Sequence, residues 1–218
     1  MHAPVHPFFT DENPHGNVRF NFRGAAPNDL AAFAAGFHEA GRVLVRKLAS
    51  SPGYADYEGY PVLFLYRHAL ELYLKAIVYR GARYAGLFDE RALSTERFYR
   101  SHDLVRLLAA TREAFRCAGW AGEPDLDNLK SWDDFSALIR TIHGLDPGSY
   151  AFRYPMDPHG DPSMPPHLLL NVIAFGRNMD PVLDLLSGAG TGLEDRWDTA
   201  AEACYFLQEI AREWRDEP

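Results

Sequence analysis

Apolar residues recur at intervals of three and four along most of this chain, which is the spacing that places them on one face of an α-helix. Stretches rich in Pro and Gly interrupt this pattern. They separate the predicted helices from one another. These helices span residues 29–49, 57–80, 102–117, 131–143 and 163–186, and a last helix ends near residue 214. The connection after the second helix leaves room for a short helix near residues 89–93. We therefore expect an all-α bundle of five to six helices.

The first 27 residues do not follow the helical pattern. They are rich in Pro, Asn, Gly and His, and only residues 18–22 alternate between apolar and polar in the way that predicts a small edge strand. We interpret the rest of this segment as a mobile arm. Residues 28–218 are then one helical domain, and with 47% hydrophobic residues in the chain it can bury a sizeable core.

Capping residues and glycines define the predicted helix boundaries. Ser101 and Ser131 are expected to cap the third and fourth helices, and Gly81 is expected to end the second. The sequence Gly-Ala-Gly-Thr-Gly over residues 188–192 is interpreted as a turn between the last two helices, with Thr191 as the next cap. The residues of the first helix that should face the core are Leu30, Phe33, Phe37, Val43 and Leu48.

A narrow polar stripe runs along the otherwise apolar second helix. At about 100° per residue, Arg67, His68, Glu71 and Lys75 fall within about 100° of one another. Charges four residues apart can pair along a helix. A buried member would need a partner, and His102 or Arg153 could complete such a network. The stripe is either a structural network or a ligand-binding site.

The charge of the chain is unevenly distributed. The net charge of -8 disfavours nucleic-acid binding by the molecule as a whole, so any such role needs a local patch. Residues 80–116 hold eight Arg against five acidic residues, a local charge of +3, whereas residues 194–217 hold eight acidic residues against three Arg, a charge of -5. This asymmetry is compatible with a local RNA groove, with a dimer contact or with solvated helix faces.

Composition also limits the environment and the cofactors. Two cysteines, Cys117 and Cys204, lie within helical patterns and suggest neither a disulfide framework nor a thiolate metal site. No uninterrupted apolar run of about 18 residues is present. We expect a cytoplasmic protein without membrane contact, metal or cofactor.

The polar stripe belongs to a longer pattern. Residues 65–77, Leu-Tyr-Arg-His-Ala-Leu-Glu-Leu-Tyr-Leu-Lys-Ala-Ile, are followed by Ser-His-Asp-Leu at 101–104 and by Arg-Tyr-Pro at 153–155. This combination, concentrated in residues 60–108, resembles the HEPN (higher eukaryotes and prokaryotes nucleotide-binding) family. The resemblance implies a helical bundle that forms a homodimer. Many members are RNA-cleaving toxins, which act with antitoxin partners, or parts of defence systems, and others are non-catalytic modules that bind nucleotides or proteins.

Catalytic members carry an Arg followed four to six residues later by a His, where the His transfers protons and the Arg binds phosphate. Two pairs meet this spacing, Arg97 with His102 and Arg153 with His159. Chance alone predicts about two such pairs in a chain with this many Arg and His residues, so placement in the fold must decide. His102 is the best single candidate because a helix N-terminus disfavours the charged imidazole and so favours the form that acts as a base.

The sequence is compatible with two functions. The first is a metal-independent ribonuclease of toxin or defence type that uses His102 with Arg97, or Arg153 with His159. The second is a non-catalytic nucleotide-binding or protein-interaction module in which the polar stripe is structural. An enzyme should bring the His and Arg side chains together in an open cleft, whereas a module should leave them separated or buried.

Overall fold

The computed structural model describes residues 18, 30–50, 53, 56–88, 95–120 and 123–216. Helices account for most of these residues. The all-α prediction is confirmed, and extended pairing in these ranges is limited to two isolated bridges. The predicted arm and edge strand, apart from Val18, and the short helix near residues 89–93 lie outside the described residues. The helices are α1 (Leu30–Ser50), α2 (Gly59–Gly86), the single turn α3 (Glu96–Tyr99), α4 (Leu104–Cys117), α5 (Trp132–Leu145) and α6 (Val172–Asp216).

The central helix of the bundle is α2. It packs against α1, α4 and α6, while α5 packs on α4. Every residue from Ala69 to Val78 is buried. A helix that is enclosed on all sides is expected to be apolar around its circumference, as α2 is outside its polar stripe. One hydrophobic cluster joins α1, α2, α4, α5 and α6.

The prediction that Gly81 ends the second helix is wrong, because α2 continues to Gly86. A Cβ atom added at Gly81 would lie 2.3 Å from the Cβ of Ala114 in α4. This glycine therefore allows two helices to approach closely and does not act as a stop signal.

The predicted turn over residues 188–192 is also wrong, because these residues lie inside one continuous helix of 45 residues. Thr191 donates its hydroxyl to the carbonyl of Ser187, one turn earlier, and does not cap a new helix. A Cβ at Gly192 would lie 2.9 Å from the ring of Trp120, so this glycine also serves a close contact. The helix continues through Pro181, which is exposed on its outer face.

The inward face of α1 agrees with the prediction only in part. Phe33 and Val43 are exposed, and the buried residues are Ala34, His38, Gly41 and Val45. The small residues allow close packing, since a Cβ at Gly41 would lie 2.7 Å from the ring of Tyr66. Leu30, Phe37 and Leu48 are partly buried and pack against the core as predicted, so the prediction is wrong only at Phe33 and Val43.

The predicted cap of α5, Ser131, is confirmed, whereas the predicted cap of α4, Ser101, is wrong. The hydroxyl of Ser131 accepts the amide of Asp134 at 3.1 Å at the start of α5. The cap of α4 is Asp103, whose carboxylate accepts the amide of Arg106 at 3.0 Å, and not Ser101. His102 consequently precedes the helix and is not part of its first turn.

A polar cluster around Asp180 joins α1, α2 and α6. Its Oδ1 atom lies 2.9 Å from Nε2 of His38, accepts the hydroxyl of Tyr66 at 2.8 Å and lies 3.2 Å from Nε of Arg42. Burial alone would raise the pKa of the Asp180 carboxyl, but the hydrogen bonds from Tyr66, His38 and Arg42 hold it below the usual value. The cluster therefore ties α6 to both α1 and α2.

None of the helices in the described ranges is both long enough and apolar enough to cross a membrane.

Two alanine substitutions test these glycine assignments. Gly81→Ala should lower the free energy of unfolding by about 1–3 kcal/mol, because the new Cβ overlaps Ala114. Gly188→Ala, where nothing lies within 4 Å of the added atom, should raise it by about 0.5–1 kcal/mol. Urea denaturation measures both values. A destabilising Gly188→Ala would contradict the continuous α6.

Candidate functional site

A buried network on α2 has Glu71 at its centre. The side chain of Glu71 is only 1% exposed, yet three donors surround its carboxylate. Lys75 Nζ donates to Oε1 at 2.8 Å, Arg67 Nη1 donates to Oε2 at 2.8 Å, and His102 Nδ1 lies 3.0 Å from Oε1. Lys75 also donates to the carbonyl of Tyr99 at 3.1 Å. Arg67, Glu71 and Lys75 of the predicted polar stripe thus form a packed network in which their charges are paired.

Arg67 connects this network to the chain beyond α5. Its side chain is fully buried. The guanidinium donates to the carbonyl of Asp146 from Nε and Nη2, to the carbonyl of His102 from Nη2 at 2.9 Å, and to the hydroxyl of Ser149 from Nη1 at 3.2 Å. Nε also lies 3.1 Å from Asp146 Oδ2, a charge contact without hydrogen-bond geometry. With each nitrogen engaged, Arg67 holds structure and presents no donor to a ligand.

The turn after α5 is shaped to meet Arg67. Asp146 Oδ1 accepts the amides of Tyr150 and Ala151 at 2.7 and 2.9 Å, which closes the turn. Ser149 adopts a left-handed conformation with φ of 61°, a strained state for a residue with a side chain. Its hydroxyl thereby faces Arg67, and its carbonyl accepts Arg153 through Nε at 2.6 Å and through Nη2.

Electrostatics keep Glu71 ionised. Burial by itself would raise the pKa of its carboxyl, but the hydrogen bond and charge of Lys75, together with the hydrogen bond from Arg67, outweigh burial and lower the pKa. An ionised carboxylate can only accept hydrogen bonds, so the proton between Glu71 and His102 belongs to Nδ1 of the imidazole. Glu71 therefore selects one tautomer of His102.

His102 reaches from this network to the surface. Its side chain is 51% exposed, in contrast to the buried carboxylate that it contacts. With the Nδ1 proton directed at Glu71, a neutral ring carries its lone pair on Nε2. A buried carboxylate that orients a histidine in this way also stabilises the imidazolium that forms when Nε2 takes up a proton. The arrangement suits general acid and base chemistry.

Arg153 lies beside the same network, among aromatic rings. Its guanidinium carbon is 5.7 Å from the centroids of Phe64 and Tyr150 and 5.6 Å from that of Tyr154. Arg153, Tyr150 and Tyr154 are exposed. A cation between exposed aromatic rings can contact a phosphate while the rings stack on a nucleobase.

His68 lies apart from the Glu71 network, although the sequence grouped it with the polar stripe. Its ring stacks on Phe64 with centroids 5.5 Å apart and meets the ring of Phe37 at 4.5 Å. Burial lowers the pKa of His68, so the ring is mostly neutral at neutral pH. It packs between α1 and α2 beneath the aromatic surface around Arg153.

The two Arg–His pairs chosen by spacing have different outcomes. Arg97 belongs to α3, and its side chain lies outside the described residues. His159 lies in an exposed turn where its amide donates to Asp157, and none of the described contacts joins its ring to Arg153. One member of each pair, His102 and Arg153, contacts the Arg67 network instead, through a carbonyl and through Ser149 respectively.

Asp146 and Ser149 are part of this network, but the sequence did not indicate them. Asp-Pro-Gly-Ser over residues 146–149 has a typical turn composition, which could have identified Asp146 as a turn residue. Its pairing with Arg67, 79 positions earlier, leaves no local signal. Only the packing of the turn against α2 reveals it.

A separate cavity of about 660 Å³ lies between α4, α5 and α6. Its walls are mainly aromatic and aliphatic, and its carboxylates are engaged elsewhere, since Glu123 accepts the amide of Trp132 and Asp184 pairs with Arg42. None of the residues predicted for the site lines this cavity. Its main apolar side chains are Phe115, Trp120, Trp132, Phe135, Leu185 and Leu186.

Within the described ranges, no group of three or more His, Cys, Asp and Glu side chains is placed to hold a metal ion. Comparison of the chain with protein-family models, with curated protein sequences and with solved structures found no match.

The Glu71 network predicts a specific pH dependence of stability. Glu71→Gln should cost about 3–5 kcal/mol at neutral pH, because the partners of the carboxylate stay buried. Since the pKa of Glu71 in the folded state lies below its value in the unfolded chain, its contribution is complete above the unfolded-state pKa and is lost as the pH falls towards the folded-state pKa. The stability difference between wild type and Glu71→Gln should narrow on acidification.

Urea denaturation of both proteins from pH 7 downwards measures this difference. Glu113→Gln is the matched control, because Glu113 also has a lowered pKa but forms a surface pair with Arg116. Its effect should be small at every pH. A difference between wild type and Glu71→Gln that does not change with pH would contradict the assignment of an ionised Glu71.

Proposed function

We propose that this protein is a HEPN-like ribonuclease that cleaves RNA without a metal ion and uses His102 for proton transfer. The observation that carries the proposal is the contact between the buried Glu71 carboxylate and the half-exposed imidazole of His102. This contact provides an oriented base at the surface. A role as a toxin or in defence, with an antitoxin among its partners, is part of the same proposal through the resemblance of residues 60–108.

His102 would act on the 2′-hydroxyl of the ribose. Its Nε2 atom removes the hydroxyl proton, and the resulting oxygen attacks the adjacent phosphorus. The bond from phosphorus to the 5′-oxygen breaks, and that oxygen takes a proton from the imidazolium. The products are a 2′,3′-cyclic phosphate and a 5′-hydroxyl end. Glu71 supports this cycle because its negative charge favours the transient imidazolium.

Arg153 and the surrounding rings would bind the substrate. Nε and Nη2 of Arg153 are held by the carbonyl of Ser149, and Nη1 is free of described hydrogen bonds and can meet a phosphate oxygen. Tyr150 and Tyr154 can stack on bases next to that phosphate. Because the chain is acidic overall, this local cation provides attraction that the net charge does not.

Arg67, Glu71 and Lys75 would position the reacting groups without touching RNA. All three are buried and paired within the network. Arg67 holds the backbone of His102 and the turn that carries Arg153. Substitutions here should change activity through the orientation of His102 and of the turn.

Cleavage of a mixed RNA pool in the presence of a chelator tests this proposal. Wild type should yield cyclic-phosphate ends, and His102→Ala should reduce the rate by at least about 100-fold, the usual contribution of a general base. Arg153→Ala should also reduce it, by weakening phosphate contact. His159→Ala is the matched control, because it removes an exposed histidine from a turn outside the network, and it should leave the rate unchanged.

Each variant must have the circular dichroism spectrum and melting temperature of a folded protein. Wild type that fails to cut RNA would overturn the ribonuclease proposal. Equal rates for His102→Ala and wild type would overturn the assignment of the base.

The second candidate function is a non-catalytic nucleotide-binding module, which the exposed aromatic surface around Arg153 favours. In that case wild type binds nucleotides but leaves RNA intact. Tyr154→Ala should then weaken nucleotide binding by about 10-fold, since stacking of one base contributes about 1–3 kcal/mol. Calorimetric titration with mononucleotides measures this change, and His102→Ala should bind like wild type.

A further inference from the structure

The cavity between α4, α5 and α6 has the size of a small-molecule site. Its volume is about 660 Å³, within the range of about 300–1,000 Å³ that such sites span. The interior of a folded protein is otherwise close-packed and leaves few voids larger than a water molecule. A space of this size can hold a ligand with at least two fused rings.

Small residues help to keep this cavity open. Gly188 and Ala189 of α6 lie in its wall, and a Cβ atom added at Gly188 would have nothing within 4 Å. The two residues between Trp120 and Glu123 lie outside the described residues, and their sequence, Ala-Gly, includes no side chain larger than a methyl group. The side chains of the described lining therefore leave the space free for a ligand.

Four aromatic rings form much of the cavity wall. The ring centroid of Phe115 lies 5.4 Å from that of Trp120 and 5.8 Å from that of Trp132, and the centroids of Trp132 and Phe135 are 5.6 Å apart. Phe115, Trp120 and Trp132 are only partly buried. The face of an aromatic ring carries negative π-electron density and attracts cations. The wall therefore favours a cationic group over other polar groups.

Both indole rings already contact a cation that does not line the cavity. The guanidinium carbon of Arg112 is 5.9 Å from the ring centroid of Trp132, and that of Arg196 is 5.4 Å from the ring centroid of Trp120. Arg112 lines a neighbouring depression instead, and Arg196 donates to the carbonyl of Ala118. Among the described residues that line the cavity itself, none is cationic.

The charged side chains of the described lining are two carboxylates, Glu123 and Asp184. Asp184 is neutralised by Arg42, whose Nη2 lies 2.5 Å from Oδ2. Glu123 accepts the amide of Trp132 through Oε2 at 2.6 Å. This neutral donor holds the carboxylate beside the aromatic wall without removing its charge. None of the ion pairs among the described residues includes Glu123, so its charge is available to a ligand.

We propose that this cavity binds a small organic cation with an aromatic body. The ammonium group would lie between the indole rings and Glu123, and the aromatic body would fill the apolar part beside Leu185 and Leu186. A neutral ligand would leave the charge of Glu123 unpaired, and an anion would be repelled by it, so charge complementarity selects the cation. None of the residues of the ribonuclease proposal lines the cavity, and the two proposals are independent.

Calorimetric titration of the full chain with three naphthalene probes tests the choice of a cation. The probes are 1-naphthylmethylammonium, the neutral 1-naphthalenemethanol and the anionic 1-naphthoate, which share one aromatic body and differ mainly in charge. The cation should bind with a Kd of about 100 µM or lower. The alcohol should bind at least about 10-fold more weakly, because it lacks the charge that the rings and Glu123 attract. The anion should bind more weakly still.

Two isosteric substitutions test the role of Glu123. Glu123→Gln should weaken binding of the cation by about 10-fold, because the new amide oxygen can still accept the Trp132 amide but carries no charge. Its affinity for the alcohol should stay within about 2-fold of wild type. Asp127→Asn is the matched control, because it removes the same charge from an exposed residue that does not line the cavity. This variant should bind the cation like wild type.

Circular dichroism spectra and melting temperatures must show that both variants are folded. Wild type that does not bind the cation at about 1 mM would overturn the proposal. Equal affinities of wild type for the cation and the alcohol would assign the cavity to a neutral apolar ligand and would also overturn it. The same conclusion would follow if Glu123→Gln bound the cation as tightly as wild type.

Discussion

The ionised Glu71 carboxylate inside α2 is the interaction on which the arrangement of the site depends. Removing such a charge from water costs several kcal/mol, so it must be surrounded by donors. Lys75 and Arg67 come from the same helix, but His102 comes from the segment before α4. Since α2 is enclosed by other helices, the requirement to pair Glu71 determines where that segment runs.

The buried charge of Arg67 also needs hydrogen-bond partners, on the other side of the site. Its buried guanidinium needs acceptors that α2 cannot supply, and the turn after α5 provides them through Asp146 and Ser149. The cost of the left-handed backbone at Ser149 is offset by these hydrogen bonds. Buried charges thereby position two exposed groups, the His102 ring and the Arg153 guanidinium, that can meet a ligand.

Ion pairs within the chain neutralise part of the uneven charge of the sequence. Arg80 and Arg83 of the basic stretch pair with Glu194 of the acidic stretch at 2.9 and 2.8 Å, and Arg83 also covers Trp197. These contacts fasten the middle of α6 to α2. The basic stretch is therefore not wholly available to RNA, which makes the local surface around Arg153 more important for any nucleic-acid contact.

The sequence by itself determined the helical class, the start of α5 at Ser131 and the common face of Arg67, Glu71 and Lys75, because each depends on residues within one or two helical turns. It did not determine the end of α2 or the continuity of α6, where Gly81 and Gly192 serve contacts with distant residues. Nor did it select Asp146 and Ser149, or separate His68 from the network. These features depend on which helices meet, and only tertiary packing decides that.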